Sequence, residues 1–208
     1  SSNLTNKEIW NYTKPIFFFT LAFALLYSID IIFARHFLAP QEAGWYGALS
    51  TLGKIIYFLV SPLSLVLFPM ASRKKSQEEK SDRLFRFSFS LAILIAIFLT
   101  AAYFLFPNLI LRVFYGEQFL PAAAYLGLFG IFLSFYSLAY FLGNFMLSQE
   151  KTKPVAFLPF LALLLQVVLI LFFHESILAI LGASIFACGL LFLSFLVYYL
   201  ISKQQKAF

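Results

Sequence analysis

Six stretches of this sequence stay apolar for about twenty residues each, the length a helix needs to cross the hydrocarbon core of a bilayer. Their approximate limits are Ile16–Phe37, Trp45–Ala71, Leu84–Phe106, Pro121–Leu147, Pro154–Phe173 and Ile177–Ile201. Membrane β-strands would be shorter and would alternate in polarity. Runs such as Phe17-Phe18-Phe19 and Leu161-Ala162-Leu163-Leu164-Leu165 do not alternate. The expected fold is therefore all-α, a six-helix transmembrane bundle. The chain is 62% hydrophobic and 12% charged, against about 45–50% and 25% for soluble domains. A soluble globule and a disordered chain are both excluded. With Cys188 alone and two histidines, so are a disulfide scaffold and a zinc site.

This pattern divides the 208 residues into three parts: a juxtamembrane segment 1–14, six spans within 15–201 and a tail 202–208. The chain opens at Ser1 rather than Met, and Ser1 to Lys14 lacks the charged-then-apolar run of a secretory signal. A fragment of a longer protein is the expectation.

The net charge of +6 reads as topology. Lys7 and Lys14 precede the first span. Arg73, Lys74, Lys75, Lys80, Arg83 and Arg86 lie between or beside the second and third, Lys151 and Lys153 follow the fourth, and Lys203 and Lys206 follow the sixth. The opposite side carries Arg35 and Arg112. Basic residues concentrate on the cytoplasmic face, which places both termini there. Trp10, Tyr12, Tyr198 and Tyr199 fit an inner aromatic belt, and Trp45, Tyr46, Tyr103 and Tyr115 an outer one. Between the third and fourth spans, Pro107–Leu120 mixes apolar residues with Arg112 and predicts a short interfacial helix. The polar stretch Ser72–Asp82 reads as a solvated turn.

Two charges lie inside the hydrophobic runs. A carboxylate at mid-membrane is expensive and faces a partner or water, so Asp30 in the first span needs an explanation, and so does Lys54 in the second. Measured from the outer helix ends, Asp30 is roughly 10 Å deep and Lys54 roughly 13 Å. A lysine stem spans the difference. The two are expected to meet, directly or through water. They then either line a polar cavity or coupling-ion site, or form a structural pair between packed helices. Gly47, Ser50, Thr51, Lys54, Tyr57 and Ser61 recur at three- and four-residue steps, which puts them on one helix face. Thr20, Ala24, Tyr27 and Asp30 form a similar stripe, as do Gly127, Gly130, Ser134, Ser137, Phe141, Asn144 and Ser148. Small and hydroxyl residues in such stripes suit tight helix contacts as well as a cavity.

Other polar residues have plainer readings. Pro62 and Pro69 could kink the second span. Gln166 reads as an interhelical hydrogen-bond partner, His36 and His174 as interfacial, and Cys188 as packing. The carboxylates show no metal-ligand spacing and no base beside a nucleophile, and no phosphate-binding glycine loop occurs. An enzyme, a metal site and a bound cofactor are not expected, and neither is a nucleic-acid partner.

Several motifs together resemble a family. Ile29-Asp30-Ile31-Ile32-Phe33 followed by Phe37-Leu38-Ala39-Pro40-Gln41-Glu42-Ala43-Gly44-Trp45-Tyr46 resembles the membrane aspartate and following loop of polysaccharide-unit exporters. Leu52-Gly53-Lys54 through Leu67-Phe68-Pro69 does too. Val113-Phe114-Tyr115-Gly116-Glu117-Gln118-Phe119 with Ala122-Ala123 is similar to the motif opening their C-terminal domain. Leu147 to Lys153 with Pro154 falls at their short cytoplasmic turn, and Leu181-Gly182-Ala183-Ser184-Ile185 resembles the entry to a late helix. Gln166 departs from the Asn of many relatives.

The resemblance is to the C-terminal half of an exporter of the multidrug/oligosaccharidyl-lipid/polysaccharide superfamily, in its oligosaccharide-flippase branch. It implies one lobe of a two-lobe protein in the cell (inner) membrane. The expected partners are the lipid bilayer, a lipid-linked oligosaccharide and an N-terminal six-helix lobe outside this chain. The implied activity is movement of that lipid from the inner to the outer leaflet by alternating access. Asp30 and Lys54 are the leading candidates for the cavity lining, with Arg35, Tyr27, Thr51, Tyr57 and Asn144 beside them. The alternatives are a lipid II flippase, a drug/cation antiporter of the same superfamily, or a membrane scaffold without transport. A membrane glycosyltransferase would need clustered acidic residues near one interface, and the sequence has none.

Overall fold

The computed structural model describes residues 6–71, 78–149 and 152–204. Among them the chain is all-helical, and six stretches are long and apolar enough to cross a membrane: Thr13–Phe37, Pro40–Ser64, Arg83–Leu105, Glu117–Ser148, Val155–Phe172 and Ile177–Ser202. The expected turn at Ser72–Asp82 lies outside the described residues as far as position 77, and positions 78–82 already belong to a helix. Residues 150 and 151 of the expected cytoplasmic turn, and positions 205–208 of the tail, are likewise outside them.

The first span is two helices, not one. Helix α1 runs Asn6–Leu26 and α2 runs Ile29–Phe37. At the break the Ser28 amide donates to Leu25 O over 3.0 Å, a tightened last turn. Ser28 then stands at the head of α2 without a side-chain cap. Asp30 thus falls in the first turn of a new helix, where the positive end of the peptide dipoles favours a carboxylate.

Helix α3, Pro40–Ala71, begins five residues earlier than expected. Pro40 is its first residue, where a missing amide hydrogen is harmless. The helix passes Pro62 and Pro69 without interruption. Helix α4 covers Glu78–Leu105, and α5 covers Pro107–Tyr115. Gly116, at φ +87°, then turns the chain into a 3-10 segment over Glu117–Ala122. A side chain there would be strained, which glycine avoids. Helices α6 (Ala123–Ser148), α7 (Thr152–Phe172) and α8 (Ile177–Gln204) complete the bundle.

Helix α6 is the hub, packed against α3, α4 and α8. Lipid tails are as apolar as leucine, so close packing and interhelical hydrogen bonds hold such bundles rather than the hydrophobic effect. The glycines of α6 permit the approach. A Cβ at Gly130 would lie 3.2 Å from Thr100 Cα on α4, and one at Gly143 would lie 2.5 Å from the Phe19 ring on α1. For Gly130 and Ser134 of the stripe, the helix-contact reading is the one realised. Tyr103 Oη donates to Leu52 O over 2.6 Å, and Thr100 and Ser134 share a hydrogen bond of 2.9 Å. Tyr103, expected in an outer aromatic belt, is buried between α4 and α3. Helix α4 stands at the periphery, with Leu94, Phe98 and Leu105 exposed to the surroundings.

Candidate functional site

Helix α1 packs chiefly on α7, while α3 packs on α6 and α4. Tyrosine rings fill the space between them. The Tyr27 ring, at the break between α1 and α2, lies 5.7 Å from that of Tyr57 on α3, and 5.7 Å from that of Tyr136 on α6. Tyr57 in turn meets Tyr136 and Tyr140, each at 5.4 Å between centroids. Phe23 closes the cluster from α1, 5.2 Å from Tyr140. Tyr136 is buried, and its hydroxyl donates to Phe23 O over 2.9 Å. Phe23 O also accepts from the Tyr27 amide over 3.2 Å, so the Tyr136 hydroxyl is a second donor on the last turn of α1. The break in the first span is thus pinned to the hub helix.

Lys54 lies at the edge of this cluster, half-buried, with its Nζ 4.1 Å from the centre of the Tyr27 ring. The geometry is a cation–π contact. Thr51, one turn earlier, is exposed, and its hydroxyl donates to Gly47 O. Asn144 follows Tyr140 by one turn of α6, is half-buried, and donates to Tyr140 O over 2.9 Å. Tyr27, Lys54 and Tyr57 therefore meet in one partly open wall at the break of the first span and α3, and Thr51 and Asn144 lie one helical turn from it along α3 and α6.

Asp30 does not share it. Its side chain is fully buried, and it lies within electrostatic range of Lys54 without forming an ion pair with it. The direct meeting expected from helix depth does not form. Depth placed both groups at one level, but not their direction around the helix axes. Instead the Tyr46 hydroxyl donates to Asp30 Oδ2 over 2.9 Å, deep between α2 and α3. The sequence places Tyr46 in an outer aromatic belt. It is completely buried, its ring 4.9 Å from Phe129 of α6. A tyrosine eight residues, two helical turns, before Lys54 on α3 was the available signal.

Behind Asp30 the polar groups continue. Ser184 of α8 adjoins the Tyr46 hydroxyl and accepts from Gln166 Nε2 of α7 over 2.9 Å. Gln166 is thus an interhelical partner, as its lone polar character implied. Asp30 Oδ1, Gln166 Oε1 and Ser50 Oγ are buried without a hydrogen-bond partner. The α3 stripe divides accordingly: Ser50 turns inward, while Thr51, Lys54 and Tyr57 turn to the wall. Arg35 is exposed in the last turn of α2, and no contact among the described residues joins it to the tyrosine cluster. The cluster residues that sequence reasoning missed are Tyr136 and Tyr140. Their four-residue spacing on α6 was legible, but aromatic residues are so frequent here that it stood out poorly.

Among the described residues no group of three or more His, Cys, Asp or Glu is arranged to hold a metal ion. A family model described as MatE matches residues 15–172. No curated protein and no solved structure matches the chain. That family match covers most of the sequence and five of the six spans, including every wall residue. The chain therefore belongs to the MatE family, within the multidrug and polysaccharide exporter superfamily, and is a multi-pass membrane transporter rather than an enzyme.

Proposed function

We propose that this chain is one lobe of a flippase that carries a lipid-linked oligosaccharide from the inner to the outer leaflet. The observation that carries this reading is Lys54, which sits over Tyr27 on a partly open wall with no ion pair to Asp30. A positive charge that is held in no ion pair, with Asp30 acting on it only from behind, remains open to anions. The phosphates that join a sugar chain to its lipid are such anions. Around them, Thr51, Tyr57 and Asn144 offer hydroxyl and amide groups for sugar hydroxyls, and the lipid tail remains in the bilayer. Asp30 acts from behind this wall, where it helps to hold the broken first span in place.

The break at Tyr27–Ser28 supports alternating access, since hinges are a few element-terminal residues that absorb backbone rotation. Discontinuous helices beside the substrate path are common in transporters. A second six-span lobe facing the wall would enclose the headgroup. The basic residues beside the spans orient both termini to the cytoplasm, in the cell (inner) membrane. A drug/cation antiporter is disfavoured by the same lysine, which already occupies the ring face that a cationic drug would seek. A lipid II flippase would use the same wall for the same phosphates, and a scaffold would leave the wall without cargo.

The test is translocation in vesicles of a fluorescent lipid bearing a diphosphate-linked sugar, beside a fluorescent organic cation. Lys54→Ala should slow movement of the lipid roughly tenfold, the loss of one charge-assisted contact, while Lys54→Arg retains most of it. Equal rates for the native chain and Lys54→Ala would refute the proposal. Transport of the organic cation instead of the lipid would select the antiporter.

A further inference from the structure

Helix α5 has a face that nothing among the described residues covers. Its nine residues sort into four rows at four-residue spacing. Leu111 and Tyr115 turn to the bundle, and Leu111 is fully buried. Asn108 and Arg112 form an exposed polar row. Leu109 with Val113, and Ile110 with Phe114, form the remaining arc. In it Leu109, Val113 and Phe114 are 60%, 71% and 62% exposed. Such an arrangement, with one row docked, one wet and a broad apolar arc free, suits a helix lying along a membrane surface.

Its surroundings name the occupant. Helix α4 is one of the six membrane-crossing stretches, and its end exposes Phe104 and Leu105. Phe106, also exposed, is the N-cap of α5, so the lipid-facing surface of α4 continues into the free arc without a polar gap. On the far side Arg112 Nη2 pairs with Glu117 Oε1 at 3.3 Å, leaving the polar margin with no net charge. Trp45 Nε1 donates to Gln118 O over 3.1 Å, tying the following turn to the start of α3. Trp favours the interfacial level of a bilayer, so this bond sets α5 at that depth.

We propose that α5 is a membrane foot, its Leu109–Val113–Phe114 arc sunk among the acyl chains of one leaflet and Asn108 and Arg112 level with the headgroups. Because Arg112 is neutralised by Glu117, its insertion is driven by apolar area and does not depend on anionic lipid. The foot would fix the depth of the α4–α6 corner while other helices move.

The experiment places a nitroxide label at position 108, 113 or 114, through Asn108→Cys, Val113→Cys or Phe114→Cys. Cys188 is fully buried and stays in place, and an unsubstituted chain reports its background labelling. The full chain is put into phosphatidylcholine vesicles with and without phosphatidylglycerol. Collisions with oxygen and with a water-soluble nickel complex are then compared by electron paramagnetic resonance. Labels at 113 and 114 should favour oxygen severalfold and the label at 108 should favour nickel, unchanged by the anionic lipid. Equal nickel access at all three positions would overturn the foot, leaving α5 in water. Immobile labels at 113 and 114 that neither reagent reaches would also overturn it, showing the arc covered by protein. A shift of 113 and 114 into the acyl region only with anionic lipid would overturn its charge-independent insertion.

Discussion

Tyr46 donates a hydrogen bond of 2.9 Å to Asp30 at a point where both side chains are fully buried. That bond joins the second half of a broken span to the helix that follows it. Among the described residues Asp30 Oδ1 has no hydrogen-bond partner, so there the Tyr46 hydroxyl is the carboxylate's one side-chain donor. Removing it should leave a buried polar group unmet, at a cost of about 1–3 kcal/mol. Tyr46→Phe is therefore expected to lower stability in detergent by that amount, read by denaturant titration. Combining it with Asp30→Asn should cost less than the two single changes summed. Full additivity would show that the pair does not interact.

Tyr27 contributes a ring, not a hydroxyl, to Lys54. Tyr27→Phe should leave binding of an anionic headgroup lipid within about twofold, whereas Tyr27→Ala should weaken it by about 0.5–2 kcal/mol through loss of the cation–π contact. Binding of a diphosphate lipid to purified protein would measure both. Equal weakening by the two would point to the hydroxyl instead.

Gly143 and Gly182 make a matched contrast. A methyl group at Gly143 would meet the Phe19 ring at 2.5 Å, while nothing lies within 4 Å of one at Gly182. Gly143→Ala should destabilise by about 1–3 kcal/mol through overpacking. Gly182→Ala should be neutral or stabilise by up to about 1 kcal/mol through helix propensity. Thermal unfolding in detergent ranks them, and the reverse order would mean that the α1–α6 contact is loose.

Gln166 and Ser184 are asymmetric partners. Ser184→Ala strands the buried Gln166 amide, which already carries one unmet oxygen, and should cost about 1–3 kcal/mol. Gln166→Leu removes both amide groups and leaves Ser184 its bond to Ile180 O, so it should cost less. The two variants, compared in one denaturant series, check the order.

Much of this was legible in the chain. The apolar runs gave six spans, and Gln166 announced itself as a polar contact because it stands alone among leucines and valines. Asp30 and Lys54 were conspicuous for the same reason. Their partners were not. Tyr46, Tyr136 and Tyr140 look like any of the 11 tyrosines in the sequence, and no periodicity within one helix says which ring faces another helix. The break at Tyr27–Ser28 was also silent, because neither residue is a helix breaker of the kind that proline is.

The sequence by itself determined that the chain crosses a membrane as helices, because an apolar run of fixed length leaves the backbone no other way to satisfy its hydrogen bonds in oil. Tertiary structure alone decided that the buried acid takes a hydrogen bond from Tyr46 while the base sits over Tyr27, within electrostatic range of each other but without an ion pair. The reason is rotational. Position along a helix follows from counting residues, but the direction a side chain takes is settled by how neighbouring helices turn and pack against each other.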